Sequence, residues 1–206
     1  MARTRTLFVR GAAAVVAATA WAGLVVQFDT STALAGAPLR ALWVMARYFT
    51  VLTNLAVALL FTAILFRSDW RPPRLVGGVT IAIMLVGIVY ATLLAGLLHL
   101  SGGARIADLL LHRVTPALAP LFWLFVTRHG RLTHRDPVMW AAAPIAYWIY
   151  ALARGTREGV YAYPFLDVAK NGWPTTIVFA LIIAAAFFAG GHAMVWLDQR
   201  LKALRR

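Results

Sequence analysis

The chain has 206 residues, of which 62% are apolar and only 13% charged, with a mean hydropathy of +0.75 and no cysteine. An ordinary soluble domain carries about 25% charged residues, so this composition excludes one, and the missing thiol excludes disulfides, thiolate nucleophiles and cysteine-type zinc or iron–sulfur centres. The formal charge of +13 arises from 18 Arg and 2 Lys against 7 acids; the cations stand in short clusters between apolar runs, which argues against nucleic acid and for a topological role.

Uncharged runs cover Gly11–Phe28, Tyr48–Phe66, Leu75–Leu98 and, interrupted only by His192, Asn171–Leu197. Each approaches or exceeds the roughly 18–20 apolar residues that a helix needs to cross a bilayer. The pattern predicts one all-α transmembrane domain over 1–206, a bundle of six helices at about 8–28, 42–66, 75–98, 106–127, 137–153 and 174–197. Asp136-Pro137 and Asn171-Gly172-Trp173-Pro174 read as helix starts, a capping side chain followed by proline in the first turn. Gly77-Gly78 and Gly190-Gly191 read as close-packing positions. The first helix also resembles a signal peptide ending at Ala33-Leu34-Ala35, but its apolar run is too long and Gln27–Thr32 intervenes, so an uncleaved span is expected.

Positive charge orients the bundle. The N-terminus, loops 2–3 and 4–5 and the tail hold 13 cations, while the other set of loops holds 5. Both termini are therefore expected in the cytoplasm. The preference for Arg over Lys and the abundance of Ala hint at a GC-rich bacterial genome, which makes the inner membrane the expected location. The connection at 154–173, with Tyr161, Tyr163, Phe165 and Trp173, is expected outside, either as an interfacial aromatic belt or as a cover over an outward cavity.

Polar groups inside hydrocarbon are costly and mark candidate sites. In this orientation Arg47, Thr50, Thr53, Asn54, Tyr90, Asp108, His112, Tyr147 and Tyr150 all fall in the outer half. Arg47, Thr50 and Asn54 stand at i, i+3 and i+7 and share one helix face, while Asp108, His112 and Thr115 share another. Asp108 is expected to pair with Arg47 or to orient His112. Pro116 removes the N–H that would bond the carbonyl of His112, so a kink and an unpaired carbonyl are expected there. Thr50 and Thr53 also admit a structural reading, bonding only to their own helix backbone. No HExxH, DxD or phosphate-cradling glycine loop is present, and a second histidine at the depth of His112 is missing for a haem, so no metal or cofactor is expected.

The segments Ala46-Arg-Tyr-Phe-Thr-Val-Leu-Thr-Asn-Leu55, Asp108-Leu-Leu-Leu-His-Arg-Val-Thr-Pro116 and Tyr161-Ala-Tyr-Pro-Phe-Leu-Asp167 together resemble the bacterial "Pr-six-Pr" family of six-span membrane proteins. The first two are more distantly similar to the androgen-induced / androgen-dependent TFPI-regulating protein family, intramembrane hydrolases of fatty-acid esters that use a threonine and a histidine. That resemblance implies Thr50 as nucleophile, with Thr53 as the alternative alignment, and His112 as base. Asp108 would then orient the histidine, and Arg47, Asn54, Tyr150 and Tyr163 would bind substrate. The expected partners are membrane lipids or an acyl-ester substrate. The alternative is a non-catalytic lipid-binding, transport or partner-subunit membrane protein.

Overall fold

The computed structural model describes residues 2–204; Arg205 and Arg206 of the cationic tail lie outside them. Among the described residues every regular element is helical. Helix α1 (Ala2–Ala35) is longer than the expected 8–28 at both ends, and stops where Gly36 takes the left-handed φ of 72°. At about 1.5 Å per residue it is roughly 50 Å long, well beyond a hydrocarbon core of about 30 Å.

The single helix expected over 42–66 is two. A short α2 (Pro38–Met45) ends in a turn, and α3 (Phe49–Phe66) starts afresh after Tyr48, whose backbone is extended at φ −100° and ψ 126°. Arg47 therefore sits in the turn and not on the helical face of Thr50 and Asn54. Helix α4 (Pro73–Val89) continues into a π-helical turn, Tyr90–Leu94. The fourth expected span is α5 (Gly102–Leu109), a second π-helical turn (Leu110–Val114) and α6 (Thr115–Val126), run together without a break. Helix α7 (Asp136–Glu158) outlasts the expected 137–153 by a turn and ends at Gly159, with φ 68°. After a 3-10 turn at Pro164–Leu166 comes α8 (Val168–Leu204), kinked at Gly172 with φ 71° and ψ 162°.

Two expected caps are placed differently. The Asp136 carboxylate turns back to accept from the N–H and hydroxyl of Thr133. At the start of α8 the cap is Asp167, which accepts from the Lys170 N–H at 3.1 Å, while Asn171 donates to the carbonyl of Pro164.

Helices α1, α3, α4 and α5–α6 make the core, with α7 and α8 laid against the α4 side. Its centre is apolar: Phe61 meets Phe122 edge-on at 4.8 Å, among fully buried Ile64, Ile83 and Leu111. Small residues set the closest approaches. A Cβ at Gly87 would stand 2.8 Å from Pro116, and one at Gly78 would stand 2.6 Å from the Trp140 ring, so these two helix pairs touch through their glycines. Among the described residues five helices are long and apolar enough to cross a membrane. Helix α7, with 23 residues, is long enough but carries Asp136 at one end and Arg154, Arg157 and Glu158 at the other. The lipid-sized apolar exterior includes Phe66, Phe125, Leu181 and Ile182, each more than half exposed.

Candidate functional site

The helix break at Arg47 organises one end of the bundle. Breaking a helix strands carbonyls, and inside apolar surroundings each needs a partner. Helix α7 supplies them. Tyr147 Oη donates to the carbonyl of Arg47 at 2.8 Å, Tyr150 Oη to that of Ala46 at 3.2 Å, and Arg154 Nη2 to that of Trp43 at 2.7 Å. Glu158 then ties both arginines, accepting from Arg47 Nη2 at 2.6 Å and from Arg154 Nε at 2.8 Å. The Trp43 indole donates to the same carboxylate at 3.1 Å and lies 4.0 Å from the Arg154 guanidinium. The partner of Arg47 is thus Glu158, and the expected Arg47–Asp108 pair does not form.

Beside this clamp lies a cavity of about 370 Å³ between α3, α4, α7 and α8. Its walls are apolar, including Leu85, Val89, Ile145, Ala184 and Phe187, and the hydroxyls of Thr50, Tyr147 and Tyr163 stand at one end. Thr50, 5% exposed, presents its N–H to Tyr163 Oη at 3.3 Å and its Oγ1 to the same oxygen at 3.4 Å. The Thr50 hydroxyl is therefore not confined to its own helix backbone. The Thr50 N–H is available to Tyr163 because the break puts it in the first turn of a helix, where the N–H has no acceptor within the helix. Burial raises the Tyr163 phenol above its ordinary range, so it stays protonated and able to donate.

A third group lies on the π-helical turns. Thr115 N–H bonds the carbonyl of Leu110, five residues back. In that register the carbonyl missing its N–H partner at Pro116 is that of Leu111, not of His112 as the α-helical count predicts. Asn54 takes it: Nδ2 donates at 3.1 Å to Leu111 and at 2.9 Å to the Thr50 carbonyl. One residue on, His112 Nδ1 lies 3.1 Å from Asp108 Oδ1, and Tyr90 Oη donates to Asp108 Oδ2 at 2.6 Å. The Tyr90 and His112 rings stack with centroids 4.3 Å apart.

The chemistry-bearing residues thus divide. Asp108 and His112 meet, as their i, i+4 spacing implies, and Thr50 meets Tyr163. Asn54 touches both halves through backbone carbonyls, whereas Arg47 and Tyr150 belong to the clamp. Among the described residues no hydrogen bond joins Thr50 to His112, and His112 does not line the cavity. Sequence reasoning missed Glu158 and Arg154 as the anchors of Arg47, since a charged helix end over a hundred residues away carries no local signal. It also missed Tyr90 as a partner of Asp108. The arrangement can hold an apolar chain with an oxygen-bearing end near two hydroxyls. It defines a multi-pass α-helical membrane protein with an apolar cavity whose polar end adjoins a helix break. No family model matches the chain, and neither curated proteins nor solved structures include a significant match.

Proposed function

We propose that the protein binds a membrane lipid, holding one acyl chain in the cavity between α4, α7 and α8. The observation that carries this reading is a cavity with largely apolar walls, between long apolar helices, with Thr50 and Tyr163 at one end. Tyr163 Oη accepts from the Thr50 N–H; with Thr50 Oγ1 donating to it as well, its own hydrogen is free for an ester carbonyl of the lipid. The same reading takes six spans with α7 as the fifth, both termini in the cytoplasm of a bacterium, and membership of the "Pr-six-Pr" family. Hydrolysis of the bound ester by Thr50 is the second reading, supported by the family resemblance. A threonine hydroxyl needs a base in contact, and among the described residues no hydrogen bond joins Thr50 to His112, which lies outside the cavity lining, so binding is favoured over turnover.

A phospholipid carrying a diazirine in its acyl chain, photolysed with the purified protein in mixed micelles, should crosslink to α7 and α8. Ala184→Trp, which fills the cavity, should abolish that labelling while leaving the protein folded. Equal labelling of wild type and Ala184→Trp would remove the binding reading. Turnover of acyl esters that disappears in both Thr50→Ala and His112→Ala would put hydrolysis in its place.

A further inference from the structure

The opposite end of the bundle carries a concentration of charge with a defined centre. Arg71, in the α3–α4 connection, donates from Nη1 to the carbonyl of Val126 at 3.3 Å, which seats it at the end of α6, two residues before Arg128. Partial burial, then Arg128 and Arg5, lower the proton affinity of Arg71, as like charges at close range do. Lys202 of α8 lies against Gly130 in the same loop as Arg128, so closely that a Cβ at Gly130 would overlap its side chain. Four segments of the chain therefore bring cations to one patch.

The acids at this end do not neutralise it. Asp136 and Asp198 are each at most 1% exposed. Asp136 is taken by Thr133 and Arg74, and Asp198 by three backbone N–H groups and His129. Asp69 alone, among the described residues at this end, is an exposed acid, and its opposing effect on Arg71 is smaller than that of Arg128 or Arg5. The elements that carry the arginines also carry exposed apolar side chains, namely Phe8, Phe66, Leu75 and Phe125. A site that joins guanidinium groups to lipid-exposed apolar surface suits a ligand with both characters.

We propose that Arg5, Arg71 and Arg128 form a binding site for the phosphate of an anionic phospholipid in the leaflet that this end faces. Guanidinium groups donate to phosphate oxygens in a fork geometry, and the lipid chains would run along the exposed apolar faces beside them. The site is independent of the acyl cavity, which lies at the other end of the same helices.

The test uses the full chain purified in an uncharged detergent, with thermal unfolding followed as lipid is added. Phosphatidylglycerol should raise the melting temperature, whereas phosphatidylcholine and inorganic phosphate at equal concentration should not. Replacing Arg71 and Arg128 together by Gln should weaken the phosphatidylglycerol effect by roughly fivefold in apparent affinity for each arginine removed. Arg135→Gln with Arg200→Gln, an equal loss of charge on the same face, should leave it unchanged. Arg5→Gln, an exposed position, serves if the double variant does not fold, and it too should weaken the effect. Inorganic phosphate that stabilises as well as phosphatidylglycerol would overturn the lipid assignment. A phosphatidylglycerol effect that survives loss of Arg71 and Arg128, or that falls equally in the Arg135/Arg200 control, would overturn the site.

Discussion

Asp198 carries more hydrogen bonds than any other side chain at its end of the bundle. One oxygen accepts from the backbone N–H groups of Gly130, Arg131 and Leu132 at 2.8 to 3.0 Å, and the other meets His129 Nδ1 at 3.1 Å. His129 Nε2 in turn reaches the Leu124 carbonyl at 3.0 Å. A carboxylate that gathers successive N–H groups holds a loop in one conformation, and here it pins the α6–α7 loop to the end of α8. Asp198→Ala leaves those donors unpaired and should cost on the order of 3 kcal/mol; Asp198→Asn, which keeps one acceptor oxygen, should cost less. Equal unfolding midpoints for wild type and Asp198→Ala in a denaturant series would show that the loop does not depend on it. At the other end Tyr147 and Tyr150 make the same kind of bond in different surroundings. Tyr147→Phe strands the partly buried Arg47 carbonyl and should lose about 1–2 kcal/mol. Tyr150 donates at a longer 3.2 Å but also accepts from Arg154 Nη1 at 2.7 Å, so Tyr150→Phe unpairs a group on either side and should lose a comparable amount.

Between elements, one proline and one asparagine act as a unit. Pro116 supplies no N–H, the chain answers with a π-helical turn, and the freed Leu111 carbonyl is met from α3 by Asn54, which is fully buried. The same turn carries His112 towards Tyr90 on the π-helical turn that ends α4, and π-turns of this kind recur at functional sites. Asn54→Leu should destabilise by about 1–3 kcal/mol because a buried carbonyl is left unpaired. Pro116→Ala restores an N–H to the turn, so the double variant should lose less than the two single losses added together. Strict additivity in that cycle would mean that Asn54 and Pro116 are not coupled through the carbonyl. The glycine contacts act at this scale too. Gly78→Leu has no room beside the Trp140 ring and should prevent α7 from docking on α4.

Across the whole molecule, the alternation of helix ends sends the cations of the N-terminal segment and of the α3–α4 and α6–α7 loops, with Arg200 and Lys202 of α8, to one side. With that side in the cytoplasm, impermeant maleimide added to intact cells should label cysteines at Ser101 and Val160 and spare those at Ser68 and Arg131. Labelling of the last pair would reverse the proposed orientation. The loop glycines are poor places for such probes, because Gly36, Gly102, Gly130 and Gly159 all have positive φ, where a side chain is strained.

Local chemistry was enough for the class of fold. Runs of uncharged residues specify spans because the cost of placing charge and backbone in hydrocarbon is paid residue by residue. The pairing of Asp108 with His112 was legible for the same reason, since i and i+4 on one helix are neighbours wherever the helix goes. Pro116 announced a freed carbonyl, though not which one. What the tertiary structure decided were contacts over large separations. Arg47 answers to Glu158 because the chain breaks at Tyr48, and nothing at that point of the sequence, neither proline nor glycine, signals a break. The break persists because Tyr147, Tyr150 and Arg154 take the carbonyls it exposes, and their positions depend on how α7 lies across α2 and α3. Thr50 faces Tyr163 and the cavity for that reason also: its orientation is set by the packing of four helices, a sum of many small contacts that no local pattern records.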